Sequence, residues 1–391
     1  MFTERSSRRR TLSVAMAFGT LSLLTTVAVA YGAQQVLRPR LPAIPNPGHA
    51  VFDPNVQSIA QNALESAIKS YGAKAGFVLV SDPVTGRLLA VANVAKDPQK
   101  QGKPWSLSYL LEPASAMKGI TVAAAADRHV ISMDEQFNCE NGTYVYGHNR
   151  INDWTPFQSL SATDTLAQSS NICGIKIGAK FGVNGLVKML SDFGFGVGGT
   201  TDGFPEAAAG VIPRPTQLTE EEYVALISTG YTMQAQFTVT PLEMVQAYGA
   251  IANDGKLMKA IQANAPDSSV SVVRQVIEPS TAESIKVALR KVVTDGTGKP
   301  ARSKLYTTAG KTSTAFTPGT IQHESLGGER SMGGFIGFAP VDKPRVVIYV
   351  GVIGPMSLKD HQPRGSSSAA PIFKQVAEEV LQYMKVAPDK N

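Results

Sequence analysis

The sequence predicts a mixed α/β chain: one sheet assembled from both termini, helices covering it, and a mostly helical lobe packed alongside. Three observations carry this. β-type runs occur near the start, at 75–81 and 88–93, and return near the end, at 306–316, 333–338 and 345–351. From about residue 112 to 297 the pattern is helical and loop-rich, forming one inserted lobe. Amphipathic helices bracket the whole, after Asp53 and over 371–384. A cleft between sheet and lobe is where a small-molecule site would sit.

With 391 residues and 43% hydrophobic content the chain can bury a sizeable core. Its net charge of +6 does not mark a nucleic-acid surface, because residues 1–40 carry six arginines against one glutamate and account for nearly all of it. That leader places Arg5, Arg8, Arg9 and Arg10 before an uncharged stretch, 11–35, long enough to cross a bilayer, with its N-terminus in the cytoplasm. Ala28-Val29-Ala30 would serve as a cleavage site, so residues 1–35 read equally as anchor or cleaved signal, and the bulk of the chain is exported. Residues 36–50, with Pro39, Pro42, Pro45 and Pro47, form an extended linker to the domain at 51–391. Cys139 and Cys173 could form a disulfide in an exported chain or stay two buried thiols. No Cys/His set has metal-ligand spacing, and no metal or cofactor is expected.

Asp53-Pro54 starts a helix whose apolar positions follow the 3.6-residue period until Gly72. Asp82-Pro83-Val84-Thr85-Gly86 turns the first two strands into a hairpin. Thr240-Pro241-Leu242-Glu243 is a capping box for a helix stopping at Asn253-Asp254-Gly255, and Ser280-Thr281-Ala282-Glu283 repeats that logic before a helix ending near Asp295-Gly296.

Glu112-Pro113-Ala114-Ser115-Ala116-Met117-Lys118 is the stretch the rest is organised around. Residues i and i+3 share a helical face, which sets Ser115 and Lys118 about 5–6 Å apart at Cβ. A lysine held neutral by burial or by a second cation can take a serine's proton and make it a nucleophile. Spacing alone is weak, since Ser66-Ala67-Ile68-Lys69 repeats it on the first helix, where amphipathicity explains every residue. Two further motifs follow in order: Ser169-Ser170-Asn171 at a loop-to-helix junction, and Lys311-Thr312-Ser313 on a strand edging the cleft.

Together with Asp82 to Ala90, Thr240-Pro241-Leu242, 251–255, Ala309-Gly310 and 335–340, these blocks resemble the penicillin-binding transpeptidase family of class B, monofunctional type, over about residues 53–384. The resemblance implies a β-lactamase/transpeptidase-like fold, with an antiparallel five-stranded sheet flanked by helices plus a helical lobe. It implies a peptidoglycan D,D-transpeptidase in which Ser115 is acylated, Lys118 is its base, Ser169 relays protons and Asn171 binds the substrate amide. Lys311 would supply positive field and lower the Lys118 pKa, Thr312 would hold a carboxylate, and Ser313 and Thr314 would line the substrate strand, with the Ser115 and Thr314 N–H groups as oxyanion hole. The implied partners are the D-Ala-D-Ala stem peptide, β-lactams, the membrane and a membrane glycosyltransferase, with the catalytic domain outside the bacterial inner membrane. The enzyme alternatives are a D,D-carboxypeptidase and a class D-like β-lactamase; the non-enzyme alternative is a penicillin-sensing or scaffold protein.

The family usually has glycine where this chain has Ala114 and Ser313, and a side chain at Ser313 is expected to narrow the cleft. Family members also carry a large module before the transpeptidase domain, whereas only about twenty residues separate leader and domain here. Gly194-Phe195-Gly196-Val197-Gly198-Gly199 matches a dinucleotide fingerprint, but a helix precedes it, so it reads as a helix cap and loop. Gly310-Lys311-Thr312 imitates a phosphate loop without its first glycine.

Overall fold

The structure, a computed structural model, describes residues 51–100, 102–197, 203–231, 237–316, 331–354 and 364–390. The arginine-rich leader lies outside the described residues, among which no helix is long and apolar enough to cross a membrane.

Helix α1 (Pro54–Tyr71) begins where the Asp53 carboxylate accepts from the Asn55 and Val56 N–H groups, and ends where Gly72 turns left-handed at φ 66°. Its inner face is Val56, Ala60, Ala63, Leu64 and Ile68, the expected stripe. Strands β1 (Ala75–Ser81) and β2 (Arg87–Ala95) pair as a hairpin, and Asp82 accepts from the Val84 and Thr85 N–H groups in the turn. A tight turn, Ala114–Ala116, then opens helix α2 (Met117–Asp127), which is buried continuously from Met117 to Ala125.

Strands β3 (Gln136–Asn138), β4 (Thr143–Tyr146), β5 (Asn149–Asn152) and β6 (Ser159–Ser161) make two ribbons, β3 with β6 and β4 with β5. Helices α3 (Ala162–Gln168), α4 (Asn171–Asp192), α5 (Glu220–Thr229) and α6 (Pro241–Ala252) build the lobe. The capping box at Thr240 and Glu243 forms as expected, and Thr219 with Glu222 makes another. The Glu243 carboxylate also accepts from the Gly196 N–H at 2.9 Å, so Gly196 belongs to the lobe's internal bonding, while Gly198 and Gly199 lie outside the described residues.

Strands β7 (Lys256–Met258), β8 (Ile261–Gln262) and β9 (Val272–Gln275) precede helix α7 (Pro279–Thr294). That helix corrects one expectation. It starts at Pro279 after Glu278, with Ser280 already inside the first turn. Its entry is fixed from outside, by the Asp127 carboxylate accepting from the Glu278 N–H at 2.6 Å, rather than by a local hydroxyl. Strands β10 (Ala309–Phe316), β11 (Ser331–Ala339) and β12 (Val346–Ile353) lead to helix α8 (Ala370–Tyr383).

The main sheet runs β10-β11-β12-β1-β2-β8 and has six strands, not five. The first five are antiparallel neighbours; the sixth, β8, is a two-residue strand from the lobe that pairs parallel to β2 through Arg87 with Ile261 and Leu88 with Gln262. Alternation along the strands sends Val78, Val80, Ile348 and Val350 toward α1 and α8, while Phe77, Leu79, Ile336 and Tyr349 face the lobe. Every residue of β12 is buried, as its position in the sheet requires, and each such Val or Ile contributes about 1.5–3 kcal/mol. Strand β10 is left at the sheet's edge, with its lysine-bearing face on the lobe side.

Candidate active site

Five of the predicted residues converge. Ser115 sits in the turn before α2, behind Pro113, and is 5% exposed; Lys118, in the first turn of α2, is fully buried. The Lys118 Nζ lies 3.0 Å from Ser115 Oγ, 2.8 Å from the Ser169 carbonyl oxygen and 2.6 Å from Asn171 Oδ1. Lys311 reaches across from β10, its Nζ donating to Ser169 Oγ at 2.7 Å and to the Thr312 carbonyl at 3.2 Å.

Local sequence explains how each is presented. Ser169 ends α3 in the left-handed region at φ 61°, turning its carbonyl and hydroxyl toward the two lysines. Ser170 then caps α4, its hydroxyl accepting from the Cys173 N–H at 3.0 Å, which sets Asn171 at the first helical position. The Cys139–Cys173 disulfide forms, with Cα atoms 5.2 Å apart, and ties this first turn to the segment after β3.

Burial dominates the electrostatics. It pushes the Lys118 pKa down to about 7, against the attraction of the Asp153 carboxylate. Burial also drives Lys311 well below the ordinary lysine value, and repulsion from Lys118 adds to this. Of the two causes expected, burial and a second cation, burial is the one that depresses Lys118. The chemical consequence is geometric. A neutral amine has two N–H bonds and one lone pair, and two of the three oxygens around Lys118 are acceptors only. The N–H bonds go to the Ser169 carbonyl and Asn171 Oδ1, leaving the lone pair for Ser115, the partner that has a proton to give.

Three predicted residues lie on β10 beyond Lys311. The Thr312 hydroxyl pairs with that of Thr297 at 2.8 Å, and Thr314 Oγ1 accepts from the Gly365 N–H at 3.4 Å. Ser313 is 1% exposed and packs inward, directly across the ladder from Gly334 and against Tyr349 of β12. A Cβ at Gly334 would collide with the Ser313 hydroxyl, so the glycine on β11 makes room for the side chain on β10. The expectation that Ser313 narrows the cleft is corrected, because its hydroxyl fills a buried space between strands. Ala114, the other departure from glycine, holds φ 46°, a left-handed conformation costing about 1 kcal/mol or more for a residue with a Cβ.

Sequence reasoning missed Asp153, Tyr231 and Thr297. Asp153 accepts from the Ser170 hydroxyl at 2.6 Å and from the Ile172 N–H at 3.2 Å, bracing the start of α4. Tyr231 places its hydroxyl 3.2 Å from Ser115 Oγ. Each is remote in sequence from the residue it serves, and no short-range spacing could have found it.

Residues 76–378 match the family described as the penicillin binding protein transpeptidase domain. A probable peptidoglycan D,D-transpeptidase PenA of Neisseria flavescens is 30% identical over 351 residues, covering 87% of this chain and 83% of that protein. The PenA of Neisseria meningitidis serogroup A is 29% identical over 353 residues, covering 87% of this chain and 57% of its own length, so the chain spans little more than half of that relative. The transpeptidase domain of Burkholderia pseudomallei penicillin-binding protein 3 superimposes with a TM-score of 0.76 at 28% identity, covering 89% of this chain and all of that domain. With the three motifs gathered around Lys118 and the match running through all of them, the chain belongs to the penicillin-binding protein transpeptidase family, in its class B branch.

Proposed function

We propose that the chain is a serine D,D-transpeptidase that cross-links peptidoglycan stem peptides. Ser115 Oγ attacks the carbonyl between the two terminal D-alanines, its proton passing to the Lys118 lone pair, and the leaving D-alanine takes a proton through Ser169. The amine of a second stem then attacks the ester and is acylated as Ser115 recovers its proton. Asn171 holds the substrate amide, and the Ser115 and Thr314 N–H groups receive the oxyanion, each such donor being worth roughly 10²–10³ in rate. Thr312 takes the terminal carboxylate. An arriving carboxylate also offsets the burial that penalises the Lys311 charge, and so favours the protonated amine as substrate binds. A β-lactam enters the same path and stays as an ester on Ser115.

The observation that carries this reading is the trio of contacts at Lys118, which orient a neutral amine at one serine. The domain works outside the inner membrane, held by a single-pass N-terminal segment and partnered with a membrane glycosyltransferase. The leader's arginines and the Cys139–Cys173 disulfide support that placement. Intact-mass analysis after incubation with penicillin, with peptide mapping, tests the reading: one stable adduct on Ser115 is expected, and an adduct elsewhere would end it. A D-amino acid acceptor separates transfer from hydrolysis, since an exchanged peptide product is expected and hydrolysis alone would indicate a carboxypeptidase.

A further inference from the structure

Ser115 Oγ has a second side-chain neighbour that the family motifs do not supply, the phenol of Tyr231 at 3.2 Å. Its placement is built rather than incidental. Gly230 ends α5 at φ 70°, and its carbonyl accepts the Ala114 N–H at 3.0 Å. A Cβ at Gly230 would collide with the Ala114 carbonyl oxygen and come within 2.7 Å of the Ala114 nitrogen, so only glycine lets the two backbones approach this closely. Tyr231 follows immediately. The end of α5 is thus pinned to the residue before the nucleophile, and Tyr231 reaches the nucleophile's oxygen from there.

We propose that Tyr231 is a catalytic residue whose phenol donates a hydrogen bond to Ser115 Oγ, aiming it before attack and stabilising that oxygen when it becomes the leaving group. The inference rests on Ser115 being the nucleophile. In the resting site the serine proton points to the Lys118 lone pair, which leaves the oxygen's own lone pairs for a donor. In acylation the Ser115 O–H bond breaks, the proton moves to Lys118 and the new bond forms between Oγ and the carbonyl carbon. In deacylation the amine of the second stem bonds to the carbonyl carbon and gives a proton to Lys118, the bond to Oγ breaks, the electron pair returns to Oγ, and Lys118 passes that proton to it. Negative charge therefore builds on this oxygen in the second step, where a donor strengthens from an ordinary hydrogen bond to a charge-assisted one. Burial, reinforced by the nearby Glu112 and only partly offset by the bond to Ser115, raises the Tyr231 pKa, so the phenol keeps the proton it donates.

The test compares the full chain with Tyr231→Phe and with 3-fluorotyrosine placed at 231. Both acylation by labelled penicillin and turnover of a thioester substrate are followed. For Tyr231→Phe the acylation constant should fall about tenfold and thioester turnover about 10–100-fold, with KM nearly unchanged and a melting temperature close to that of the parent. The fluorinated phenol, a stronger donor of nearly the same shape, should speed deacylation. Unchanged rates in Tyr231→Phe, or slower deacylation with 3-fluorotyrosine, would overturn the proposal, the second because it would make the phenol an acceptor. If Tyr231→Phe fails to fold, the fluorotyrosine measurement decides alone. A parent chain that takes no label on Ser115 would overturn the transpeptidase reading itself, and that outcome is recognised before any variant is measured.

Discussion

Two tetrads in this molecule share the spacing Ser-x-x-Lys, and they could hardly differ more in setting. On α1, Ser66 and Lys69 both lie on the exposed face, while Ala63, Leu64 and Ile68 go into the core. At the start of α2, Ser115 and Lys118 are buried, and the lysine's hydrogen-bond partners are a hydroxyl, a carbonyl and an amide oxygen, all uncharged. A third lysine completes the contrast: Lys286 is 3% exposed, but it pairs with Glu283 at 2.8 Å and Asp254 at 3.4 Å. Spacing brings a serine and a lysine together. Whether the amine becomes a base depends on losing water without gaining a carboxylate.

The largest effect expected from this contrast is at the two serines. Ser115→Ala should abolish covalent labelling by penicillin, and Ser66→Ala should label at the parent rate; labelling that survives in Ser115→Ala would break the comparison. Next come the two lysines. Removing a general base typically costs about 10²–10⁴ in rate, so Lys118→Met should acylate slower by that factor, with Lys69→Met unchanged.

The pH dependence follows from the same burial. In the proposed mechanism Lys118 acts in its deprotonated form, so with its pKa near 7 the acylation rate should fall about tenfold per pH unit below that value, measured by stopped-flow with a chromogenic β-lactam. The stability sign is the reverse of an ion-paired lysine's. In the unfolded chain the side chain keeps its proton to its ordinary value of 10.5, so the unfolded state binds more protons between about 7 and 10.5, and stability should rise with pH over that window. Lys118→Met should flatten part of the rise in denaturant titrations. Asp153 is the charge that opposes the depression, so Asp153→Asn should move the acylation midpoint to lower pH, and a shift upward would sink this assignment.

The smallest effect is expected where a side chain stands in place of the family's glycine. Because the Ser313 hydroxyl is enclosed by Gly334 and Tyr349, Ser313→Gly should change acylation by less than about threefold. A large gain in rate would mean that the serine does obstruct the cleft. Gly334→Ala should be worse than Ser313→Gly, since its methyl group would collide with the serine hydroxyl, and melting temperatures of the two variants check the order.

Much of the scaffold was legible because its signals are local. Asp53 and Thr240 cap helices through their own next turn, and the first hairpin turns on Asp82 within five residues. Where the expectation slipped, a distant partner had intervened. The first residues of the expected strand at 306–316 are instead held by the C-terminal segment, with Tyr306 donating to the Val386 carbonyl at 2.8 Å and the Thr307 N–H to Asp389 at 2.6 Å. The sixth strand has two residues and no alternating pattern to read; it exists because Arg87 and Leu88 offer it a free edge.

By itself the sequence determined a sheet built from both ends of the chain, the helices after Asp53 and Thr240 and the cysteines that could be joined, while the resemblance to a known family singled out Ser115, Lys118, Ser169, Asn171 and Lys311; the short strands β3–β9 inside the stretch read as helical and loop-rich were missed. The elements that were read depend on periodicity and capping, which act over a few residues. Only the tertiary structure decided that Lys118 loses its water while keeping uncharged partners, that Gly334 makes space for Ser313, and that Gly230 brings Tyr231 onto Ser115. Those outcomes depend on what lies across the cleft, 51 residues from Lys118 at Ser169 and 116 from Ser115 at Tyr231, and a chain's local pattern carries no record of which distant surface will exclude the solvent.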